Sequence, residues 1–309
     1  MINRRRVFGL GIGAATAAGA AALYRVAPSF WRNLPSETMR PILPAGRQPK
    51  PKLWPSKGLH ATWLGHSTVL LSIDGFTILT DPVFSDKAGF HFGPLSLGIK
   101  RLVAPALNRA DLPPIDLVLL SHAHMDHFDI PSLRSLESRS TNVITAPQTS
   151  DLLRVNRYNK VAELRWRESV RIGYAAVTAI EVNHWGARLR SDTYRGYNGY
   201  LVETGSHRIL FAGDTAITDS FKSLHARRGI DLAIMPIGAY NPWIRYHCNP
   251  EQAWRMVNDS SSHYVLPVHH QTFALSREPG LEPIERLAAA AGNDIDRVVL
   301  REIGGEFHL

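Results

Sequence analysis

The sequence predicts a mixed α/β domain, and three observations carry that prediction. Apolar runs of strand length recur from Leu59 onward, segments of helical length lie among them, and one apolar run ends in a dense cluster of histidines. With 309 residues, 44% hydrophobic and 20% charged, the chain has ample length to bury a core.

Strands are expected first at 60–64, 68–73 and 76–80, with Asp74-Gly75 as the hairpin turn between the last two. Residues 85–110 hold Gly, Pro and Phe and read as a loop over the functional face. The run 115–120 reads as a buried strand. Helices are expected at 131–136 and 148–155, the second with Pro147 near its start, and strands follow at 177–182, 198–203 and 207–212. Further helices are expected at 217–226, 250–258 and 281–291, with Asn249 as cap and Pro250 in the first turn. No long internal repeat interrupts this order.

Charge separates the chain into two parts. Residues 1–57 hold ten of the 35 Lys and Arg and one acid, Glu37, so residues 58–309 keep 25 basic and 26 acidic side chains. The net +8 therefore belongs to the N-terminus, which argues against a nucleic-acid substrate, since a nuclease carries its basic charge around its site. Arg4-Arg5-Arg6-Val7-Phe8 followed by an uncharged, Ala- and Gly-rich stretch to Tyr24 has the form of a twin-arginine export signal. Residues 1–24 are thus expected to be a signal or N-terminal anchor, with a basic surface helix as the alternative. The implied location is the periplasm or the inner membrane; the alternative is the cytoplasm. Residues 25–57 hold seven of the 20 prolines and read as an extended basic linker, resting on anionic headgroups or on the domain. Cys248 is the single cysteine, which excludes an intramolecular disulfide and a cysteine-ligated zinc site.

The chemistry is concentrated in Ser121-His122-Ala123-His124-Met125-Asp126-His127. Three imidazoles and a carboxylate at the end of a buried strand suit a divalent metal. An extended His-x-His pair directs both rings to one side, and Asp126 and His127 in the following turn face a second ion.

This H-x-H-x-D-H pattern resembles the signature of the metallo-β-lactamase superfamily of binuclear metallohydrolases. His184 in Glu181-Val182-Asn183-His184-Trp185, Asp214 after the run 209–212 and His269 after the run 265–268 match its later motifs in order. The resemblance covers roughly residues 58–309 and implies a four-layer αββα sandwich. A closer likeness lies in Thr62-Trp63-Leu64-Gly65-His66-Ser67-Thr68-Val69, Leu79-Thr80-Asp81-Pro82-Val83-Phe84-Ser85, the stretch from Met235 to Tyr240, the stretch from His247 to Glu251, and Thr272-Phe273-Ala274-Leu275. These are similar to the N-acyl-phosphatidylethanolamine-hydrolysing phospholipases D. The first two are shared with the L-ascorbate-6-phosphate lactonase group. Where the phospholipase family carries Trp-Gly, this chain carries His270-Gln271.

The resemblance implies two Zn2+ ions, with manganese or iron as alternatives. His122, His124 and His184 would hold one and Asp126, His127 and His269 the other, with Asp214 between them. A water shared by the two ions would ionise near neutral pH and attack a phosphodiester. Asp126 would orient that nucleophile or carry a proton, and His247 would serve as leaving-group acid. His66 and Asp81 would orient ligating imidazoles, although His66 reads equally well as a hydrogen-bonded turn residue; Tyr240 would reach substrate from a loop. The implied reaction releases an N-acylethanolamine from an N-acyl-phosphatidylethanolamine-like phospholipid and leaves phosphatidic acid. Two alternatives stand beside it: a lactonase or hydrolase of a small phosphorylated metabolite, and a membrane-tethered metal-binding envelope protein with incidental catalysis. The expected partners are a phospholipid or small-molecule ester and a membrane surface met through the basic N-terminus, with no nucleic acid; oligomers are compatible with the sequence.

Overall fold

Residues 39–93, 95–189, 191–225 and 228–309 are described by the computed structural model of the chain. Strands β1 (Leu59–Gly65), β2 (Thr68–Ile73), β3 (Phe76–Thr80), β6 (Leu117–Leu120), β7 (Asn142–Thr145), β8 (Lys160–Glu163) and β15 (Glu306–His308) form one sheet, in the order β15-β1-β2-β3-β6-β7-β8. Strands β9 (Ser169–Ile172), β10 (Ala175–Ile180), β11 (Gly199–Glu203), β12 (Arg208–Phe211), β13 (Ile230–Pro236) and β14 (Ser262–Val268) form the other, in the order β14-β13-β12-β11-β10-β9. A hairpin of β4 (Lys87–Phe92) and β5 (Leu95–Lys100) stands apart from both.

The period-2 alternation of strands decides what each sheet buries. Ile209, Phe211, Leu232, Ile234, Leu266 and Val268 share a cluster with Leu71, Leu79, Val118 and Leu120 of the first sheet, which fills the sandwich. Their neighbours Leu210, Ala233, Met235 and Val265 turn outward. There they meet Met256 and Val257 of helix α2 (Pro250–Asp259) and Leu287 of helix α3 (Glu282–Ala291). A shorter helix, α1 (Ile130–Ser135), adds Leu133 to the first cluster.

The expected elements are present at β1, β2, β3, β6, β10, β11, β12, α1, α2 and α3, and Asp74 and Gly75 take the positive φ of a hairpin turn. Three expectations are corrected. Residues 85–110 are not one loop but contain the β4–β5 hairpin, hidden in the sequence because Gly89 and Gly98 interrupt the strand pattern; a Cβ on Gly89 would fall 2.0 Å from the Leu97 carbonyl oxygen. Residues 148–155 form 3₁₀ turns at Ser150–Leu152 and Val155–Arg157 rather than a helix. The distant Glu163 carboxylate accepts the N–H groups of Gln148, Thr149 and Ser150 and closes the turn instead. At 217–226 only Ser220–Leu224 is helical, as a 3₁₀ turn, where the Thr218 hydroxyl accepts the Ser220 N–H in competition with a helix.

Residues 42–57 lie in the same compact unit as the sandwich. Leu43 pairs with Val103, and Trp54 Nε1 donates to Glu306 at 2.5 Å, so this part of the Pro-rich linker rests on the domain. The expected signal at 1–24 lies outside the described residues. Among the described residues no helix is long and apolar enough to cross a membrane.

Candidate metal centre

Strand ends supply the site. Asp81 follows β3, Ser121 and the histidine cluster follow β6, Asp214 follows β12, and His269 follows β14. The parallel pairing of Thr80 with Leu119 brings Asp81 beside Ser121. The backbone bends sharply at these exits, with φ of 51° at His66, 31° at Asp81 and 64° at His269. Non-glycine residues in that region store about 1–3 kcal/mol of strain, which clusters at functional sites. Gly213, at φ 61°, is needed for a second reason: a Cβ there would lie 2.7 Å from the Asn198 carbonyl oxygen and 2.8 Å from Ser121 Cβ.

One oxygen stands at the centre. Asp214 Oδ2 lies 3.0 Å from His269 Nε2, 3.1 Å from His127 Nε2, 3.8 Å from His184 Nε2, 3.8 Å from His247 Nδ1 and 4.0 Å from His122 Nε2. On one side His122, His124 and His184 bring their ring nitrogens within metal-sharing range. On the other, Asp126, His127 and His269 do the same, joined by His66, whose Nε2 is 3.0 Å from Asp126 Oδ2. The seven residues expected as metal ligands therefore all converge.

The rings are held from behind. His127 Nδ1 is 2.7 Å from Asp81 Oδ2, and Asp81 also accepts the Ser121 N–H and hydroxyl. That same hydroxyl lies 2.8 Å from His122 Nδ1, and the Tyr246 carbonyl oxygen lies 2.9 Å from His184 Nδ1. With Nδ1 committed outward, each Nε2 faces the centre, the orientation that ligating imidazoles need. Asp81 thus lies behind an imidazole as expected, whereas the His66 ring faces the Asp126 carboxylate and not a ligating imidazole. Ser121 and the Tyr246 carbonyl were not legible as site groups, since a backbone carbonyl leaves no mark in a sequence.

Electrostatics and unmet hydrogen bonds test whether metals fit. Burial would raise the Asp214 and Asp126 carboxyls, but the adjoining imidazoles hold both well below the usual range. Burial would lower His127 and His269, but Asp214 and Asp126 raise them, His269 to about 9. Burial keeps His122 and His184 far below the ordinary imidazole value and takes His124 to about 4. His124 Nε2, His127 Nε2, both ring nitrogens of His269 and both oxygens of Asp214 are buried without a well-aligned hydrogen bond. Each such group costs roughly 1–3 kcal/mol. Divalent cations suit this imidazole and carboxylate set, so the donors fit the metals.

Above the centre opens a cleft of about 280 Å³, floored by His124, Asp126, Asp214, His247 and His269 and walled by Trp185, Trp243, Tyr246 and Leu275. Trp185 stands edge-on to His124, 4.7 Å between ring centres. Tyr240 does not reach this cleft: its hydroxyl donates to Glu282 at 2.8 Å on α3, which corrects the expectation of a substrate contact. Phe273 is buried behind the site, 5.1 Å from the His66 ring and under the guanidinium of Arg101.

The strand ends of a two-sheet sandwich thus gather a candidate metal centre, and comparison with known proteins supplies the family. The family described as beta-lactamase superfamily domain matches residues 77–270. A protein of Mycobacterium tuberculosis is 37% identical over 247 residues, 75% of this chain, and the chain spans only 64% of that protein's length. The N-acyl-phosphatidylethanolamine-hydrolyzing phospholipase D 1 of Caenorhabditis elegans is 31% identical over 275 residues, 82% of this chain and 76% of the worm protein. A metallo hydrolase from the archaeon Ignicoccus hospitalis superposes with a TM-score of 0.61 at 19% identity, over 82% of this chain and 99% of its own, a likeness of fold. The chain belongs to the β-lactamase superfamily of metal-dependent hydrolases, in the branch that holds the worm phospholipase D.

Proposed function

We propose that this chain is a binuclear, zinc-dependent phosphodiesterase that cleaves N-acyl-phosphatidylethanolamine-like phospholipids to an N-acylethanolamine and phosphatidic acid. The observation that carries the reading is Asp214 Oδ2, set between two groups of metal-binding side chains at the floor of an aromatic-walled cleft. The activity named for the worm relative supports the choice of lipid.

His122, His124 and His184 would hold one ion, Asp126, His127 and His269 the other, with Asp214 reaching both. A bound pair would supply Lewis acidity and a water ionised near neutral pH. The chain's own groups position the substrate and exclude solvent. Asp126, tied to His66, presents its carboxylate to the cleft floor, where it would orient the nucleophile; held well below the usual carboxylate range, it is a weak proton acceptor. His247 stands beside Asp214, Nδ1 3.8 Å from Oδ2, and burial lowers it to about 4, so at pH 7 it acts as an uncharged hydrogen-bond partner rather than as the leaving-group acid expected of it. Trp185, Trp243 and Leu275 offer the apolar wall an acyl chain requires.

The test is product analysis by mass spectrometry of the metal-loaded full chain on N-acyl-phosphatidylethanolamine in micelles, with Asp214→Ala as control. Both products are expected with the intact site and neither with the variant. Absence of both at demonstrated two-metal occupancy removes the lipid reading and leaves lactones and soluble phosphate esters.

A further inference from the structure

The β4–β5 hairpin has two unlike faces. Cross-strand pairs Ala88–Ile99, Phe90–Leu97 and Phe92–Leu95 put six apolar side chains on one of them. At the base this stripe is covered: the buried Ala88 and the half-buried Ile99 pack with Val83, Phe273 and Leu275, and Leu275 is itself part of the cleft wall. Toward the tip it emerges into solvent, with Phe90 45%, Leu95 57% and Phe92 60% exposed. The other face holds Lys87 opposite Lys100 and His91 opposite Ser96, and His91 reaches Asp129 at 3.3 Å, three residues beyond Asp126. Across the cleft, Trp243, Ile244 and Tyr246 form a second exposed apolar segment, with the exposed Arg245 among them.

Large aromatics scattered singly on a surface need no explanation, but an apolar stripe on a hairpin whose base packs against the wall of the candidate site does. We propose that the hairpin tip and the segment 243–246 dock the protein on an anionic phospholipid surface. Three features select that partner. Trp and Tyr, apolar with one polar end, are the side chains that settle at a membrane–water boundary. The hairpin and the segment 243–246 carry the half-buried Lys87 and Lys100 and the exposed Arg245 and no acidic residue, a balance that complements anionic headgroups. Trp243 and Tyr246 themselves line the cleft, and Leu275 of the cleft wall packs against the hairpin base, so a bilayer met by these two segments lies beside the mouth of the site. The usefulness of such docking rests on the phospholipid reading; the docking itself does not.

The experiment compares the full chain with the Phe92→Ser/Leu95→Ser double variant in co-sedimentation with vesicles of phosphatidylcholine containing phosphatidylglycerol. The basic N-terminus is common to both proteins, so any difference belongs to the hairpin. At least tenfold weaker binding by the variant is expected, together with undiminished hydrolysis of detergent-dispersed lipid. An environment-sensitive dye on Phe92→Cys, selective because Cys248 is buried, is expected to shift to the blue with vesicles, while one on Asn156→Cys is not. Equal vesicle binding by the variant and no dye shift would overturn the proposal. So would a dimer in sedimentation velocity that the double variant abolishes without any change in lipid binding, which would assign the stripe to a second copy. Vesicle docking by a protein that cleaves no phospholipid would leave the docking in place and remove the substrate reading alone.

Discussion

Asp81 lies behind the site, yet it governs two imidazoles at once. It accepts from Ser121 N–H and hydroxyl and faces His127 Nδ1, and through Ser121 it also fixes His122. Burial pushes its carboxyl up, while the His127 and Ser121 contacts pull it back. In Asp81→Asn the shape is kept, but an amide NH2 replaces one acceptor and meets a donor. Metal affinity is then expected to fall about 10–100-fold, as for other groups that hold a ligating histidine. Titration against a competing chelator checks this, and unchanged affinity would show that His127 needs no anchor. At this scale the sequence was most informative where chemistry resides in side chains: the seven expected ligands and Asp81 all arrive. It misled at Tyr240, because nothing local announces that a hydroxyl will be taken by Glu282, 42 residues away.

Helix α2 shows why some elements were legible and others not. Its start is written in four adjacent residues: the Asn249 side chain accepts the Gln252 N–H at 2.9 Å, the Gln252 side chain accepts the Asn249 N–H at 3.1 Å, and Pro250 occupies the first turn. Asn249→Ala should therefore lower stability by about 1 kcal/mol, read from the shift in urea midpoint. Because His247 and Cys248 directly precede the cap, and Cys248 N–H bonds the Thr215 carbonyl, the same change should also speed amide exchange at Cys248. Unchanged exchange would separate the cap from the site. The turns at 150–157 and 220–224 carry no such start signal: Glu163, distant in sequence, takes the N–H groups of 148–150, and the Thr218 hydroxyl competes for the Ser220 N–H, so periodicity overstated them as helices. The β4–β5 hairpin was missed for the opposite reason: its paired glycines allow close strand approach but break the alternation by which a strand is read.

At the scale of the whole molecule the two sheets meet at the metal centre, since β3 and β6 belong to one and β12 and β14 to the other. The site therefore exists only when the sandwich is closed, and metal binding should stabilise the entire fold. At a free metal concentration 100 times Kd the gain is about 2.7 kcal/mol, a rise of several degrees in Tm for a domain of this size. Protons compete for the same atoms. His127 and His269 are raised because, without an ion, the Asp214 and Asp126 carboxylates favour imidazolium against the effect of burial. A raised folded-state value stabilises the metal-free protein fully below the ordinary imidazole value near 6.5, and that contribution fades as pH rises through about 9 for His269. Metal must displace those protons, so its apparent affinity should increase from pH 6 to pH 9. Calorimetric titration with zinc at pH 7, in two buffers of different ionisation enthalpy, should show net release of about one to two protons for the filled site. Uptake of protons, or none exchanged, would mean that His127 and His269 are neutral before the metal arrives and that the two carboxylates do not share their charge with them.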